Sequence, residues 1–159
     1  AQAQLHTHGG CPGSRMRTMA QSAEASAPAA SDESVSRLAQ WPCQLKLVPV
    51  GAPYFDGAKL LVAADCTAYA YARMHEQFMR GKVTLIGCPK LDAVQYAEKL
   101  TEIFARNDIR SVTLTRMEVP CCGGLEYAAR QAIAASGKTI PLRVVTISAD
   151  GEILEQAEE

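Results

Sequence analysis

The sequence predicts a single α/β domain with three layers around a mainly parallel sheet. Short apolar runs typical of strands alternate with longer segments of helical periodicity, and the helical segments directly follow strands. The chain has 159 residues, of which 48% are hydrophobic, and this is enough for one buried core. Because strands joined through helices run parallel, we expect their carboxyl ends at one edge of the sheet.

The strands are predicted from short runs rich in Val, Ile and Leu. The first run precedes a connection at 51–57 that contains glycine and proline. The last run precedes a turn at Asp150 and Gly151. The three runs between them each lead directly into cysteine. The full set of predicted strands is 44–48, 59–65, 82–87, 111–120 and 142–147.

Three helices are predicted between these strands from their terminal residues. Thr67 is the expected N-cap of the first helix, and Gly81 and Gly137 supply the left-handed residue that ends the first and the third. Asp92 and Gln95 form a capping-box pattern for the second. The predicted helices cover about 67–80, 92–107 and 123–137. This order of elements predicts a small Rossmann-like or flavodoxin-like three-layer sandwich.

Composition and charge argue against several function classes. Lys and Arg number 16 against 17 Asp and Glu, and the basic residues are scattered, which argues against nucleic-acid binding. No apolar run approaches the roughly 20 residues that span a bilayer, and the N-terminus lacks the apolar segment of a secretory signal. The usual nucleotide-binding glycine motifs are also absent. We therefore expect a cytoplasmic protein that binds neither nucleic acid nor a membrane.

Four cysteines stand directly after predicted strands, namely Cys66, Cys88 and the adjacent pair Cys121 and Cys122. In an open parallel sheet, ligands bind just past the carboxyl ends of the strands. The starts of the following helices also stabilise thiolate, which is the form that binds metals or attacks electrophiles. Because thiols are kept reduced in the cytoplasm, the placement indicates a metal or redox site and argues against a disulfide framework.

Iron–sulfur clusters and zinc are the two metal centres that these thiolates suggest. Structural zinc usually takes ligands from tight Cys-x-x-Cys pairs, and none occurs in this sequence. An iron–sulfur cluster spans separate loops more readily, so we favour a cluster of the 4Fe-4S type or an atypical variant, with zinc as the alternative. Cys43 is interpreted as a core-filling thiol, and His75 as a surface or packing residue.

The first part of the chain differs in composition from the rest. Ala, Ser, Gln and Glu dominate residues 1–36, which we predict to form a flexible arm, while 37–159 form one cluster-binding domain. The arm carries a Gly-Gly-Cys-Pro-Gly motif around Cys11, whose glycines allow the backbone to approach a bound group closely. We expect this motif to fold back over the site, with Cys11 as a candidate fifth ligand. His6 and His8 are interpreted as part of a solvated tail.

Five motifs spread over nearly the whole chain carry a family resemblance. They are His8-Gly-Gly-Cys-Pro-Gly-Ser14, Gln40-Trp-Pro42, Ala64-Asp-Cys66, Gly87-Cys-Pro-Lys-Leu-Asp92 and Arg116-Met-Glu-Val-Pro-Cys-Cys-Gly-Gly124. The chain resembles the C-terminal domain of a family of cytoplasmic iron–sulfur proteins of anaerobic bacteria, often labelled 4Fe-4S ferredoxins. In that family the matching region usually follows a ferredoxin module with Cys-x-x-Cys-x-x-Cys motifs, which this sequence lacks. The resemblance implies an iron–sulfur cluster.

Three functions follow from these observations as hypotheses. The favoured one is an iron–sulfur protein with a redox or electron-transfer role, working with a redox partner protein or a ferredoxin module. The second is a cluster-dependent enzyme acting on a disulfide or sulfur-containing substrate, and the third is a redox or metal sensor. Five candidate thiols exceed the four ligands of an ordinary cubane, which permits an atypical cluster, a ligand exchange or a free catalytic thiol. Lys90 and Arg116 are candidates to balance cluster charge, and a homodimer is left open.

Overall fold

The computed structural model describes residues 14–19, 34–92 and 94–159. A five-stranded main sheet organises the described part of the chain, and a two-stranded antiparallel ribbon lies before it. The strands are β1 (Arg17–Thr18), β2 (Gln40–Trp41), β3 (Ala58–Ala64), β4 (Val83–Gly87), β5 (Ile109–Met117), β6 (Leu142–Ile147) and β7 (Ile153–Glu158).

The main sheet has the strand order β4-β3-β5-β6-β7, in which only β7 runs antiparallel to its neighbour. The predicted α/β class with a mainly parallel sheet is confirmed. The inner strand β3 is buried from Leu60 to Ala64, because helical layers cover both of its faces. Val62 lies opposite Leu85 of β4 on one side and Leu114 of β5 on the other, so the core runs across the middle of the sheet.

The helices are α1 (Thr67–Ala70), α2 (Tyr96–Arg106) and α3 (Gly123–Ser136), with a π-helical segment at Met74–Met79. α2 and α3 pack against each other. The connection from β3 leads to β4 at one edge of the sheet. The connections through α2 and α3 lead in the opposite direction across the sheet, to β5 and β6. Because parallel crossovers are right-handed, α1 and the π-helical segment occupy the face opposite α2 and α3. This gives the predicted three-layer sandwich.

The predicted strand at 44–48 is wrong. Only Gln44 joins the sheet, through a single parallel bridge to Ile86. The N–H groups of Leu47 and Val48 both donate to the Gln44 carbonyl, at 2.9 and 3.1 Å, so the chain turns there. Leu45 and Val48 are fully buried while Leu47 is half exposed, and this spacing of three is that of a helical turn and not of an extended strand.

The predicted helix at 67–80 is interrupted. α1 ends at Ala70 because Tyr71 is extended, with φ −99° and ψ 108°. The chain then forms the π-helical segment, which buries Met74 and Phe78. Gly81 follows with φ +70°, which confirms its predicted left-handed conformation. A single helical pattern in the sequence thus corresponds to two short helical pieces.

The other helix ends follow the sequence more closely. α3 covers the predicted range and is followed by Gly137 at φ +72°, as expected of a helix-ending glycine. α2 ends at Arg106, beside the predicted end at 107. The capping box predicted for its start is wrong, because Gln95 occupies the N-cap position without a side-chain cap, and Asp92 bonds Tyr96 instead.

Two further features lie outside the predicted strands. After the confirmed turn at Asp150 and Gly151, β7 adds an antiparallel edge to β6. Arg17 and Thr18 pair with Trp41 and Gln40, so part of the arm contacts the domain through β1 and β2. None of the helices within the described residues combines the length and apolar character needed to cross a membrane.

Candidate functional site

The carboxyl ends of β3 and β4 lie side by side. Ala64 is opposite Gly87, and the N–H of Asp65 donates to the Gly87 carbonyl at 3.1 Å. Cys66 and Cys88 therefore begin neighbouring loops, since adjacent strands are separated by about 4.8 Å. Cys66 is exposed and Cys88 is partly buried.

The loop after β5 brings two more thiols to this edge. A short 3₁₀ turn at Pro120–Cys122 leads directly into α3, with Cys121 exposed and Cys122 buried. Burial raises the pKa of the Cys122 thiol, and the neighbouring thiols of Cys121 and Cys66 raise it further, against the opposing effect of a hydrogen bond with the backbone of Met117. Cys122 is thus close enough to Cys66 and to Cys121 to interact electrostatically with each of them.

The loop after β4 packs onto the start of α3. A Cβ atom placed on Gly124 would lie 3.2 Å from Cβ of Pro89, so glycine permits this close approach. The contact sets the loop that begins at Cys88 against the helix that begins after Cys122. All four predicted thiols accordingly belong to segments that meet at one edge of the sheet.

Tyr96 fixes the position of the Cys88 backbone. Its hydroxyl accepts a hydrogen bond from the Cys88 N–H at 2.9 Å and donates one to the carboxylate of Asp92. A Cβ atom on Gly87 would stand 2.7 Å from the same hydroxyl, so only glycine leaves room for it. Burial and the Asp92 carboxylate raise the pKa of Tyr96, so the phenol stays protonated and keeps both hydrogen bonds.

Asp65 is an acidic residue of this edge that the sequence analysis does not single out. Its Oδ1 atom is buried and has no hydrogen-bond partner among the described residues. Burial raises the pKa of this carboxyl and the charge of Asp92 raises it further, while a hydrogen bond with Gln44 lowers it. Its position directly before Cys66 at a strand end was the available sequence signal.

The structure also places Cys43 near this edge. Its carbonyl accepts a hydrogen bond from the Ile86 N–H at 2.9 Å, two residues before Cys88. The side chain is only partly buried, which differs from the expected core-filling thiol. Burial raises the pKa of Cys43, and so does the charge of Asp65. Its location depends on pairing between distant segments, for which the local sequence carries no signal.

The remaining predicted residues divide into two groups. Cys11, His6 and His8 lie outside the described residues. His75 accepts a hydrogen bond at Nδ1 from the backbone N–H of Arg37, 3.0 Å away, which agrees with a surface packing role.

The two predicted cations near this edge differ in their surroundings. Lys90 is exposed in the loop after Cys88. Arg116 pairs with Glu126 at 2.7 Å, so its charge is largely balanced within the protein. Lys90 therefore faces solvent, whereas the charge of Arg116 already has a partner within the chain.

The thiols have the chemistry of ligands for a soft metal, but they are not arranged as a complete metal site. Among residues 14–19, 34–92 and 94–159, no group of three or more His, Cys, Asp or Glu side chains is arranged to hold a metal ion. The donors are nevertheless thiols, which are the ligands of iron–sulfur clusters and of zinc. They lie on loops and helix starts rather than inside strands.

Comparisons with known proteins agree with this architecture. The Rossmann-like domain family matches residues 52–159, which include the whole main sheet and all three helices. An uncharacterized protein from Archaeoglobus fulgidus is 36% identical over 100 residues, which make up 62% of this chain and 70% of that relative. No solved structure shows significant similarity to the chain.

Proposed function

We propose that this chain, which belongs to the Rossmann-like domain family, binds an iron–sulfur cluster at the carboxyl edge of its sheet and has a redox or electron-transfer role. The observation that carries the proposal is the gathering of thiols from three neighbouring strand ends. Cys122 lies near both Cys66 and Cys121, and the loop that begins at Cys88 packs against the start of α3. Such an edge is where open α/β sheets bind ligands.

The proposed ligands are Cys66, Cys88, Cys121 and Cys122, with Cys11 as a candidate fifth. The raised pKa of Cys122 is compatible with this role, because a bound metal supplies positive charge that removes the proton from a coordinating thiol. Cys43 is less suitable, because it lies in the segment before the main sheet and does not follow one of the sheet's strands. The cluster would supply one-electron chemistry, and the chain would hold it.

The surface around these cysteines supports a protein partner. Three large hydrophobic side chains are exposed within three residues of a proposed ligand, namely Tyr69, Leu91 and Val119, with exposed fractions of 93%, 81% and 42%. Exposed apolar groups close together mark protein interaction sites. We propose a redox partner protein or a ferredoxin module as the partner, and a cytoplasmic location in an organism related to the anaerobic bacteria of the resembling family.

A second candidate function is an enzyme that acts on a disulfide or a sulfur-containing substrate. The adjacent Cys121 and Cys122 favour it, because one thiol is exposed and the other is buried directly behind it. An exposed thiol can attack a substrate disulfide, and a neighbouring thiol can resolve the mixed disulfide. A redox or metal sensor would use the same thiols, and zinc is the alternative metal.

Anaerobic purification with metal analysis tests the proposal. We expect brown protein that contains iron and acid-labile sulfide, with the broad visible absorption of a thiolate-bound cluster. Colourless protein with stoichiometric zinc would contradict the cluster and favour the zinc alternative. Cluster-containing protein that reduces a small disulfide when an electron donor is supplied would favour the cluster-dependent enzyme, whereas protein without metal would contradict the cluster. The Cys66→Ser/Cys121→Ser double variant, prepared in parallel, is the matched control for iron bound elsewhere.

A further inference from the structure

A cavity lies at the opposite edge of the sheet, where the strands begin. It has a volume of about 360 Å³ and is lined by residues at the starts of β3, β4 and β5 together with Tyr54 and Gly57. This volume falls in the range of pockets that hold small ligands. Three cations line it, namely Lys59, Lys82 and Arg110. The described residues contribute no carboxylate to its lining.

The strand register brings two of these cations together. Leu60 lies opposite Val83, so Lys59 and Lys82, one residue earlier on each strand, stand side by side. Like charges on neighbouring strands repel each other. Burial lowers the pKa of Lys82, and the positive charges of Arg143 and Lys59 lower it further. The amino edge therefore carries a concentration of positive charge that the fold alone does not require.

A β-bulge directs the third cation toward the same place. Ala58 pairs with Ile109 while Lys59 pairs with Ser111, so Arg110 is the extra residue of the bulge. Bulges re-aim side chains and are frequent beside functional sites. The Arg110 guanidinium lies over Gly57, whose φ is +67°, and a Cβ atom there would be 3.4 Å from Nη2. Within the described residues, neither the Lys59 ammonium nor the Arg110 guanidinium has a hydrogen bond or an ion pair, whereas the Lys82 ammonium donates to the Phe78 carbonyl at 3.1 Å.

Tyr54 provides a hydrogen-bond donor without a partner. Its hydroxyl is buried and makes no hydrogen bond with any described residue. Burial raises the pKa of Tyr54 to about 12, so the hydroxyl keeps its proton at neutral pH. A buried hydroxyl without a partner costs free energy unless a ligand satisfies it. Tyr54 lines the cavity together with the three cations, so an acceptor placed there would satisfy it.

We propose that this cavity is a binding site for a phosphate-bearing small molecule with at least two negative charges. Arg110 binds two phosphate oxygens through its planar guanidinium, Lys59 and Lys82 contribute point charges, and the Tyr54 hydroxyl donates to a further oxygen. The site is distinct from the cysteine edge, so it does not depend on the proposed function. A phosphorylated ligand held there would sit under the starts of the same three strands whose ends carry the thiols.

Calorimetric titration of the full chain with pyrophosphate tests the proposal, with inorganic phosphate as a smaller probe. We expect saturable binding with a stoichiometry of one and weaker binding of inorganic phosphate. Arg110→Gln should lower the affinity for pyrophosphate by about tenfold or more, and Tyr54→Phe by about fivefold, because each removes a charge-assisted hydrogen bond. Amide NMR shifts on titration should concentrate near Gly57 and Lys82.

Arg106→Gln is the matched control, because Arg106 is an exposed arginine of α2 that pairs only loosely with Glu102, at 3.6 Å. This variant should bind pyrophosphate as the unmodified chain does. Tyr54→Phe should also leave thermal stability unchanged or slightly raised, since it removes an unsatisfied buried hydroxyl. Absence of saturable binding, or an equal loss of affinity in Arg106→Gln, would overturn the proposal.

Discussion

The two edges of the main sheet carry opposite chemistry on the same three strands. A cation stands at or just before the start of each strand, and a thiol follows its end. The pairs are Lys59 and Cys66 for β3, Lys82 and Cys88 for β4, and Arg110 and Cys121 for β5. Between these ends, β3 is apolar and buried from Leu60 to Ala64. A parallel sheet thus separates two kinds of residue by a full strand length while using one core for both.

The comparison shows where such a fold can tolerate residues that do not favour stability. A buried carboxylate oxygen at Asp65 and a buried hydroxyl at Tyr54 both lack partners among the described residues, and each lies at one end of β3. Neither position is needed to build the apolar middle of the sheet. Buried polar atoms without a hydrogen-bond partner also occur within the strands, at Thr84 of β4 and Arg143 of β6, but those of Asp65 and Tyr54 stand where a ligand can satisfy them.

The largest expected effect is the loss of the cluster when a proposed ligand is replaced, compared with replacement of Cys43, which lies near the same edge. Cys66→Ser or Cys121→Ser should weaken cluster retention by about tenfold or more, because each removes a thiolate from a shared core. Cys43→Ser should retain the cluster, because Cys43 lies before β3 and does not follow a strand of the main sheet. Iron and sulfide content after anaerobic reconstitution measures the difference. Equal loss of iron in Cys43→Ser would extend the ligand set to the segment before the sheet.

The next effect tests how tightly the carboxyl edge is packed. Gly151 has φ +87°, and a Cβ atom there would be 2.4 Å from the Ala70 carbonyl oxygen. Gly151→Ala should therefore lower the free energy of unfolding by about 2–4 kcal/mol. Gly137→Ala, which has φ +72° but no atom within 4 Å, should lower it by only about 1 kcal/mol. Urea denaturation of both variants would show similar losses if the turn moves freely away from α1.

A smaller effect concerns the support of the Cys88 loop. Tyr96→Phe removes the acceptor of the Cys88 N–H and should lower the free energy of unfolding by about 1–3 kcal/mol. Tyr127→Phe is the control, because its exposed hydroxyl only accepts a hydrogen bond from Gln131, and its effect should stay within about 0.5 kcal/mol. Denaturation of metal-free protein measures both. Equal stability of the two variants would show that the loop is held by other contacts.

The smallest effect is a dependence of stability on pH. Because burial and Asp92 raise the pKa of Asp65 above its usual 3.8, the folded state favours the neutral carboxyl. The neutral carboxyl therefore contributes to the stability of the folded state. This contribution is fully present below the usual pKa and is lost as pH rises through the folded-state pKa. Asp65→Asn does not undergo this loss. The melting temperature of the variant minus that of the unmodified chain should therefore increase from pH 3 to pH 7.

The sequence predicted the strands whose burial is decided by their own residues. β3, β4 and β6 are short runs rich in Val, Leu, Ile and Ala that are mostly buried, and such a run is visible without knowledge of its neighbours. β7 is different, because only Ile153 is partly buried and its other residues are exposed. Its strand conformation comes from pairing with β6, which the local pattern does not contain. The break after Ala70 depends likewise on packing around Tyr71 and not on local helix propensity.

In the candidate site too, some features could be predicted from the sequence and others depend on tertiary contacts. The placement of Cys66 and Cys88 after strands followed from the parallel topology, since strand ends meet wherever the strands are parallel. The hydrogen bond from the Cys88 N–H to Tyr96 and the position of Cys43 beside Ile86 depend on contacts between separate segments. Side-chain contacts of this kind are decided by packing, so the sequence predicted the edge but not its internal geometry.

The acidic edge strand has a consequence for self-association. β7 presents Glu155 and Glu158 to solvent, and Glu159 follows directly after it. An open strand edge is a template for adding strands from other molecules, and a row of like charges opposes that addition when two identical edges approach. On the other side of the sheet, the Gln44 segment covers part of β4. Glu158 and Glu159 already pair with Arg143 and Arg130, so the repulsion between two such edges comes chiefly from Glu155, and it disfavours continuation of the sheet across β7 in a homodimer.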